Sequence, residues 1–219
     1  METCYLFDSI HYQAVSWKKI FETAGAAITK NKQPTGLVNS HGVVILTDSL
    51  FLFERTELCF ENDSSEVDVN TLQLISMPLL ENSDLYLFKL VIEKSDHSAV
   101  SKKYIYFLTH TIKNLYQYTQ TIFLYTHEHL SKRKYGNIPI SQIEIVQCDF
   151  TDIIIAFKKI ESSINTIVTV DDIIYLINIL LEVLIHLSKL SGARAVLKNN
   201  VIDLIFHVQF FKKYLKADI

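Results

Sequence analysis

Glycine and proline are scarce in this chain, with 5 and 3 among 219 residues. Tight turns draw on these residues, so the scarcity argues against a many-turned all-β protein and toward long helices. Cysteine is scarce too. Cys4, Cys59 and Cys148 are far apart and odd in number. They give neither zinc spacing nor a disulfide framework, and they suit a reducing compartment, so a cytoplasmic location is expected. Charge of one sign is also lacking. Lys+Arg is 21 against 24 Asp+Glu, a net charge of −3, so no global field draws the chain to nucleic acid or anionic lipid. The first residues lack a basic segment followed by an apolar one, which is how a secretory leader begins. The most apolar stretch, Ile173 to Leu187, falls short of the ~20 residues a bilayer needs and carries Asn178, Glu182 and His186. It reads as the central helix of a bundle, not as a membrane span. There is no Walker loop, no G-x-G-x-x-G and no serine nucleophile elbow. The eight histidines show no metal spacing. His127 and His129 diverge by about 200° on a helix, so no metal site is expected.

What is present is apolar and aromatic. Hydrophobic residues make up 49% of the chain, enough for a core without staples, with 13 Phe and 11 Tyr among them. The pattern changes near residue 100. Residues 9–31 carry Ile10, Ala14, Trp17, Ile20, Phe21 and Ala24 near helical spacing, and Gln33-Pro34-Thr35-Gly36 breaks that pattern. From Leu37 to Glu93 short strands are expected. Val43 to Leu46 and Ser49 to Phe53 are apolar runs, and Leu72, Leu74, Leu85 and Leu87 alternate with their neighbours. Glu61 to Glu66 reads as a polar loop and Glu81-Asn82-Ser83-Asp84 as a turn. After Ser95-Asp96-His97-Ser98, four helices are expected. Lys102 to Leu130 has no Gly or Pro. Ser141, with Glu144 as a capping-box partner, opens a second helix to about Ser163, and Thr169 with Asp172 opens a third to about Leu190. Ser191-Gly192 breaks the chain before a fourth helix, Val201 to Lys216. The expected fold class is α+β: residues 1–36 a short helical segment, 37–98 a small, mostly antiparallel β domain, and 99–219 an up-down four-helix bundle.

Three stretches of the second half, taken in order, resemble the C-terminal half of acyl-CoA dehydrogenases. Lys132-Arg133-Lys134-Tyr135-Gly136-Asn137-Ile138-Pro139-Ile140 is similar to the family's link between bundle helices, E-R-x-Q-F-G-x-P-I. Val146-Gln147 and Asp152 fall where the family carries V-Q and the Asp of L-A-D-M. Leu190-Ser191-Gly192-Ala193-Arg194-Ala195-Val196-Leu197, with Asn200-Val201-Ile202-Asp203 after it, resembles L-H-G-G-x-G-Y. It is closer to the S-G-A-R-A-L variant of the flavin monooxygenase-like branch. The resemblance covers about residues 100–216.

The resemblance implies an acyl-CoA dehydrogenase-like fold and FAD as cofactor, with the flavin site shared across a subunit interface. Arg133 takes the place of the family Arg that reaches an FAD phosphate, a role that suits the planar fork of a guanidinium. Read without the family, it sits in a solvated basic loop. Gly192 and Ala193 match the small residues that the family sets against flavin. Gly192 also reads as a plain helix C-terminal glycine. Glu144 and Lys189 stand where the family has Gln. The family's catalytic base is a Glu, carried either early in the first bundle helix or in a loop after the fourth, whose pKa rises when desolvated. No Asp or Glu occurs here between Asp96 and Glu128, and the aligned place falls near Phe107. The catalytic residue is therefore unknown. His110 is a weak candidate base and His207 a further one, each also readable as an ordinary histidine. Tyr104, Tyr106, Phe107, Tyr116, Tyr118, Phe123 and Tyr125 cover more than one helix face, so part of the run is expected at an oligomer interface.

Enzymatic activity is open at this point. One reading is a truncated acyl-CoA dehydrogenase-like subunit. It would contribute to flavin-dependent acyl-thioester oxidation as a homo-oligomer, or as a hetero-oligomer with a fuller acyl-CoA dehydrogenase paralogue. The alternative is a catalytically inactive module of that fold for protein assembly or acyl-thioester binding. A third reading is different chemistry run by His110.

Overall fold

In the computed structural model, residues 17–28, 35–47, 55–60, 64–81, 84–90, 101–192 and 201–216 are described. The expected strand Ser49 to Phe53 and the residues Ala193 and Arg194 lie outside them. The elements run α1 (Trp17–Ile28), β1 (Thr35–Val38), β2 (Val43–Thr47), β3 (Arg55–Cys59), β4 (Ser64–Asp68), β5 (Gln73–Ile75), α2 (Pro78–Glu81) and β6 (Leu85–Lys89). Then come α3 (Lys102–Lys132), β7 (Lys134–Tyr135), β8 (Ile138–Pro139), α4 (Glu144–Ser163), α5 (Val170–Ser191) and α6 (Val201–Leu215).

Six strands form one sheet in the order β4-β3-β1-β2-β6-β5. Every pairing is antiparallel except β1 with β3, which is parallel. Two sequence expectations fail here. Thr35 and Gly36 do not belong to a break; they begin β1. Ser64 to Glu66 do not belong to a loop; they begin β4, an edge strand that tolerates polar residues because one of its sides meets no other strand among the described residues. Gly36 has a packing reason. A Cβ there would come within 2.6 Å of both Leu46 and Leu58, which are buried on that face of the sheet with Val38, Val44 and Phe88.

The opposite face carries Leu37, Ile45, Cys59, Leu85 and Leu87 into the main core. There it meets Ile20, Phe21 and Ala24 of α1 and Tyr104, Phe107 and Leu108 of α3. Tyr214 of α6 fastens bundle to sheet. Its hydroxyl lies 2.6 Å from the Leu37 carbonyl and 2.9 Å from that of Val43, and Asn39 Nδ2 donates to the Tyr214 carbonyl.

Helix α3 runs 31 residues, opened by the Ser101 hydroxyl accepting from the Lys103 amide and uninterrupted by Gly or Pro. It ends at Arg133 in extended backbone, where the β7–β8 hairpin begins. Gly136, first of the two turn residues, has φ +62, as a type II′ turn requires. The expected Ser141 cap is absent. A 3-10 turn over Ile140–Gln142 intervenes, the Ser141 hydroxyl accepts from Ser131, and α4 starts at Glu144 without a side-chain cap. The second capping box does form. Thr169 Oγ1 accepts from the Asp172 amide, and Asp172 Oδ2 accepts from the amides of Thr169 and Val168. Those bonds, the Val168 amide first, hold the Asp172 carboxyl below the usual range.

The four long helices alternate up and down. Among the described residues α5 is the one helix long and apolar enough to cross a membrane. Half of its most apolar stretch is buried inside the protein. Ile173, Ile177, Leu180, Leu184 and Leu187 form its inner stripe. The aromatic run of α3 mostly packs inward. Tyr104, Phe107, Tyr116 and Tyr118 are buried, whereas Tyr106 is 49% exposed. The part of the run left for an interface is Tyr106 with the half-buried Phe123 and Tyr125.

Candidate functional site

The alternation of helix direction sets which residues can share a site. Helices α3 and α5 both run toward one end of the bundle, where Thr126 Oγ1 and Ser191 Oγ lie 3.4 Å apart. Arg133, just past α3, and Gly192, just past α5, therefore sit at the same end. His110 does not join them. It lies 23 residues before Arg133, and at 1.5 Å per residue that is about 35 Å along the helix.

Arg133 is exposed, with Lys132 and Lys134 exposed beside it. Lys132 is engaged by Glu128, one turn earlier. That contact holds the Glu128 carboxyl below its usual range. The Arg133 carbonyl accepts from the Ile140 amide at 2.8 Å, which closes the base of the hairpin and fixes where the side chain leaves the backbone. A bidentate donor at this point suits an anionic diphosphate oxygen pair.

Gly192 has φ +57 and ψ −135, a conformation that requires glycine. Its amide donates to the Lys189 carbonyl, so it is committed to ending the helix. Among the described residues, a Cβ at Gly192 would meet nothing within 4 Å.

At the same end of the bundle, His186 Nδ1 lies 2.8 Å from Asp149 Oδ1, joining α5 to α4. The two residues are 37 positions apart, and no local signal in the sequence links them. The carboxylate fixes the ring's orientation, as in a base–orienter pair.

Each of the two histidines considered as a base has a definite setting. His110 stands on the outer side of α3 with its ring centroid 4.4 Å from that of Tyr106. Burial, and then Lys113, lower its pKa. His207 is buried and stacks on Trp17 at 5.7 Å. Its Nδ1 donates to the Asp203 carbonyl, which fixes the tautomer, and burial lowers its pKa despite the opposing pull of Asp203. It also lines a cavity of about 10 Å³ with Trp17, Phe21, Ile45, Leu80 and Phe211. Sites for drug-sized ligands run to ~300 Å³ or more, so this space encloses neither a flavin nor an acyl chain.

A buried neutral histidine has a pH signature. The folded pKa lies below the unfolded value, so the unfolded chain takes up more protons. Stability is then fully present above about pH 6.5 and falls as pH drops toward the folded pKa. We expect His207→Phe to flatten this acid limb by up to ~1.4 kcal/mol per pH unit, measured by urea unfolding between pH 7.5 and 5. An unchanged slope would contradict the assignment.

One of the two places where the family resemblance puts a catalytic carboxylate, early in the first bundle helix, is filled by packing. Phe107 is fully buried, edge-on to Phe21 at 5.6 Å.

No protein-family model and no curated protein matches the chain. Solved structures do. A glutaryl-CoA dehydrogenase from Mycobacterium smegmatis in complex with FADH2 superposes with TM-score 0.53 at 10% identity, over 84% of this chain and 57% of its own. An FAD-dependent dehydrogenase gives 0.53 at 12%, over 84% and 63%. The apo form of PigA gives 0.56 at 10%, over 84% and 60%. The chain therefore has the acyl-CoA dehydrogenase fold, and it spans between 57% and 63% of the length of these structures.

Proposed function

We propose that this chain is a subunit of a flavin-linked acyl-CoA dehydrogenase-like assembly in a reducing cytoplasm, in which another subunit supplies what it lacks. One observation carries the reading. The fold of these flavoenzymes is kept together with an exposed Arg133 at the bundle end, while a cavity among the described residues, beside His207, is far too small for the cofactor. Arg133 would hold the diphosphate of FAD, with Lys134 adding positive potential. Gly192 would allow close backbone approach, and Ala193 is proposed beside it. When bound, FAD would supply hydride acceptance in acyl-thioester oxidation. This chain contributes binding and orientation, and the proton-abstracting carboxylate comes from the partner.

Phe107 favours a second reading, the inactive module for assembly or acyl-thioester binding. Its ring occupies the core at one of the two places where the family carries that carboxylate. Absorbance in the flavin bands separates the two. The protein is purified alone and after coexpression with an acyl-CoA dehydrogenase encoded beside it. The shared-site reading expects colour with the partner and little without it. A colourless protein in both preparations favours the inactive module.

A further inference from the structure

Two buried polar atoms where α1 meets α6 are left over from the hydrogen bonds described above. Trp17 Nε1 and His207 Nε2 have no hydrogen-bond partner among the described residues. Trp17 is 4% and His207 7% exposed, so bulk water does not serve either nitrogen. Leaving a buried donor or acceptor unpaired forfeits its whole hydration. The two demands are opposite. An indole N–H only donates. Burial lowers the His207 pKa, so at neutral pH the ring carries one proton. That proton is on Nδ1, because Nδ1 meets the Asp203 carbonyl, which only accepts. His207 Nε2 is therefore left as an acceptor.

Both residues line the cavity of about 10 Å³, together with Phe21, Ile45, Leu80 and Phe211 among others. Its lining residues bring no hydroxyl, amide or carboxylate side chain. We propose that this cavity binds one water molecule, which accepts from Trp17 Nε1, donates to His207 Nε2, and so bridges α1 to α6. Three properties select water. One donor and one acceptor need a neutral partner that both accepts and donates, whereas an anion needs donors and a cation needs acceptors. The volume is about that of one water-sized probe, which is the least a bound water requires and excludes larger ligands. The ring centroids are 5.7 Å apart, close to two hydrogen bonds of ~2.9 Å placed end to end, so a single molecule spans the gap. Cavities that stay dry are apolar throughout, and two polar nitrogens set this one apart.

The bridge adds direction to a contact made otherwise by rings. Trp17 and Phe21 both pack on Phe211, and ring contacts tolerate sliding. Two hydrogen bonds through water fix the register of α1 on α6. Phe21 in turn lies against Phe107, so the same water steadies the helix that covers that position. The inference involves neither Arg133 nor a second subunit, so it stands or falls apart from the flavin reading.

Trp17 is the only tryptophan in the chain, so its indole N–H gives a single magnetic resonance signal in the isotopically labelled full chain. At about pH 7.5, above the ordinary histidine range, the indole proton should show a rotating-frame Overhauser cross-peak to water. Its sign should be opposite to the diagonal, which distinguishes contact from proton exchange. A long-range nitrogen–proton correlation should place the His207 ring proton on Nδ1. His207→Phe keeps a flat ring against Trp17 but deletes the acceptor, and should abolish the water cross-peak. Trp17→Phe deletes the donor, and should shift the His207 Nε2 resonance toward that of an unbonded acceptor. An indole proton of the parent chain with no dipolar contact to water overturns the proposal. A ring proton found on Nε2 does so too, as does a cross-peak that persists in folded His207→Phe. Should that variant not fold, an Nε2 resonance unmoved by Trp17→Phe is the result that excludes the bridge.

Discussion

Tyr214→Ala should lower the stability of the chain by about 4 kcal/mol. The ring is fully buried, stacked on Phe211 at 6.3 Å, and its loss leaves a cavity at the seam between sheet and bundle. The hydroxyl adds a second effect. It serves the carbonyls of Leu37 and Val43, at the two ends of the turn joining β1 to β2, and that turn is already tied by Asn39 Oδ1 accepting from the amides of His41 and Val43. Tyr214→Phe, which keeps the ring, should cost only about 1 kcal/mol. Urea unfolding followed by circular dichroism separates the two costs. If Phe and Ala cost the same, the hydroxyl and not the packing would hold the seam, against this account.

The second large effect concerns Phe107. Phe107→Glu places a carboxylate in the first bundle helix but should not create a working base. The position is wholly buried, facing Phe21, with Gly25 of α1 close by. A carboxylate there has no water and is expected to stay protonated, its folded pKa raised above the unfolded value. The folded state then binds more protons, so stability falls as pH rises. The variant should lose more than about 4 kcal/mol at pH 8 and recover part of it near pH 5, the opposite of the trend set by His207. Melting temperatures across that range provide the readout. A variant as stable as the parent at pH 8 would mean that the site is open and polar, and the missing base would need another explanation.

Much of this architecture could be read from residues alone, and the parts that could not have identifiable causes. Helices α3 and α5 were legible because long runs without Gly or Pro, and the Thr169–Asp172 pair, are local signals that the packing reinforces. Strand β4 was not, because Ser64-Ser65-Glu66 is polar and an edge strand is held by backbone bonds that side chains do not advertise. The start of α4 was misplaced by a cap pattern that matches in spacing, whereas the Ser141 hydroxyl is engaged with Ser131 across the hairpin. Aromatic abundance on α3 suggested an interface. Tertiary packing takes Tyr104, Phe107, Tyr116 and Tyr118 of that run inward, with Tyr116 satisfied by donating to Glu161 at 2.7 Å and accepting from Gln120, and leaves Tyr106 half exposed. At the candidate site, Arg133 and Gly192 could be chosen by motif. That they share one bundle end while His110 stands far from both follows only from helix direction. The Asp149–His186 contact belongs to the same class of fact, set by how α4 lies against α5.

Charge at position 133 tests the account most directly, through the flavin retained per chain when the assembled protein is isolated. Replacing Arg133 with Glu should reduce retention at least ~10-fold, and Arg133→Lys should fall between, because an ammonium keeps the charge but loses the fork. Equal flavin content in all three proteins would contradict it.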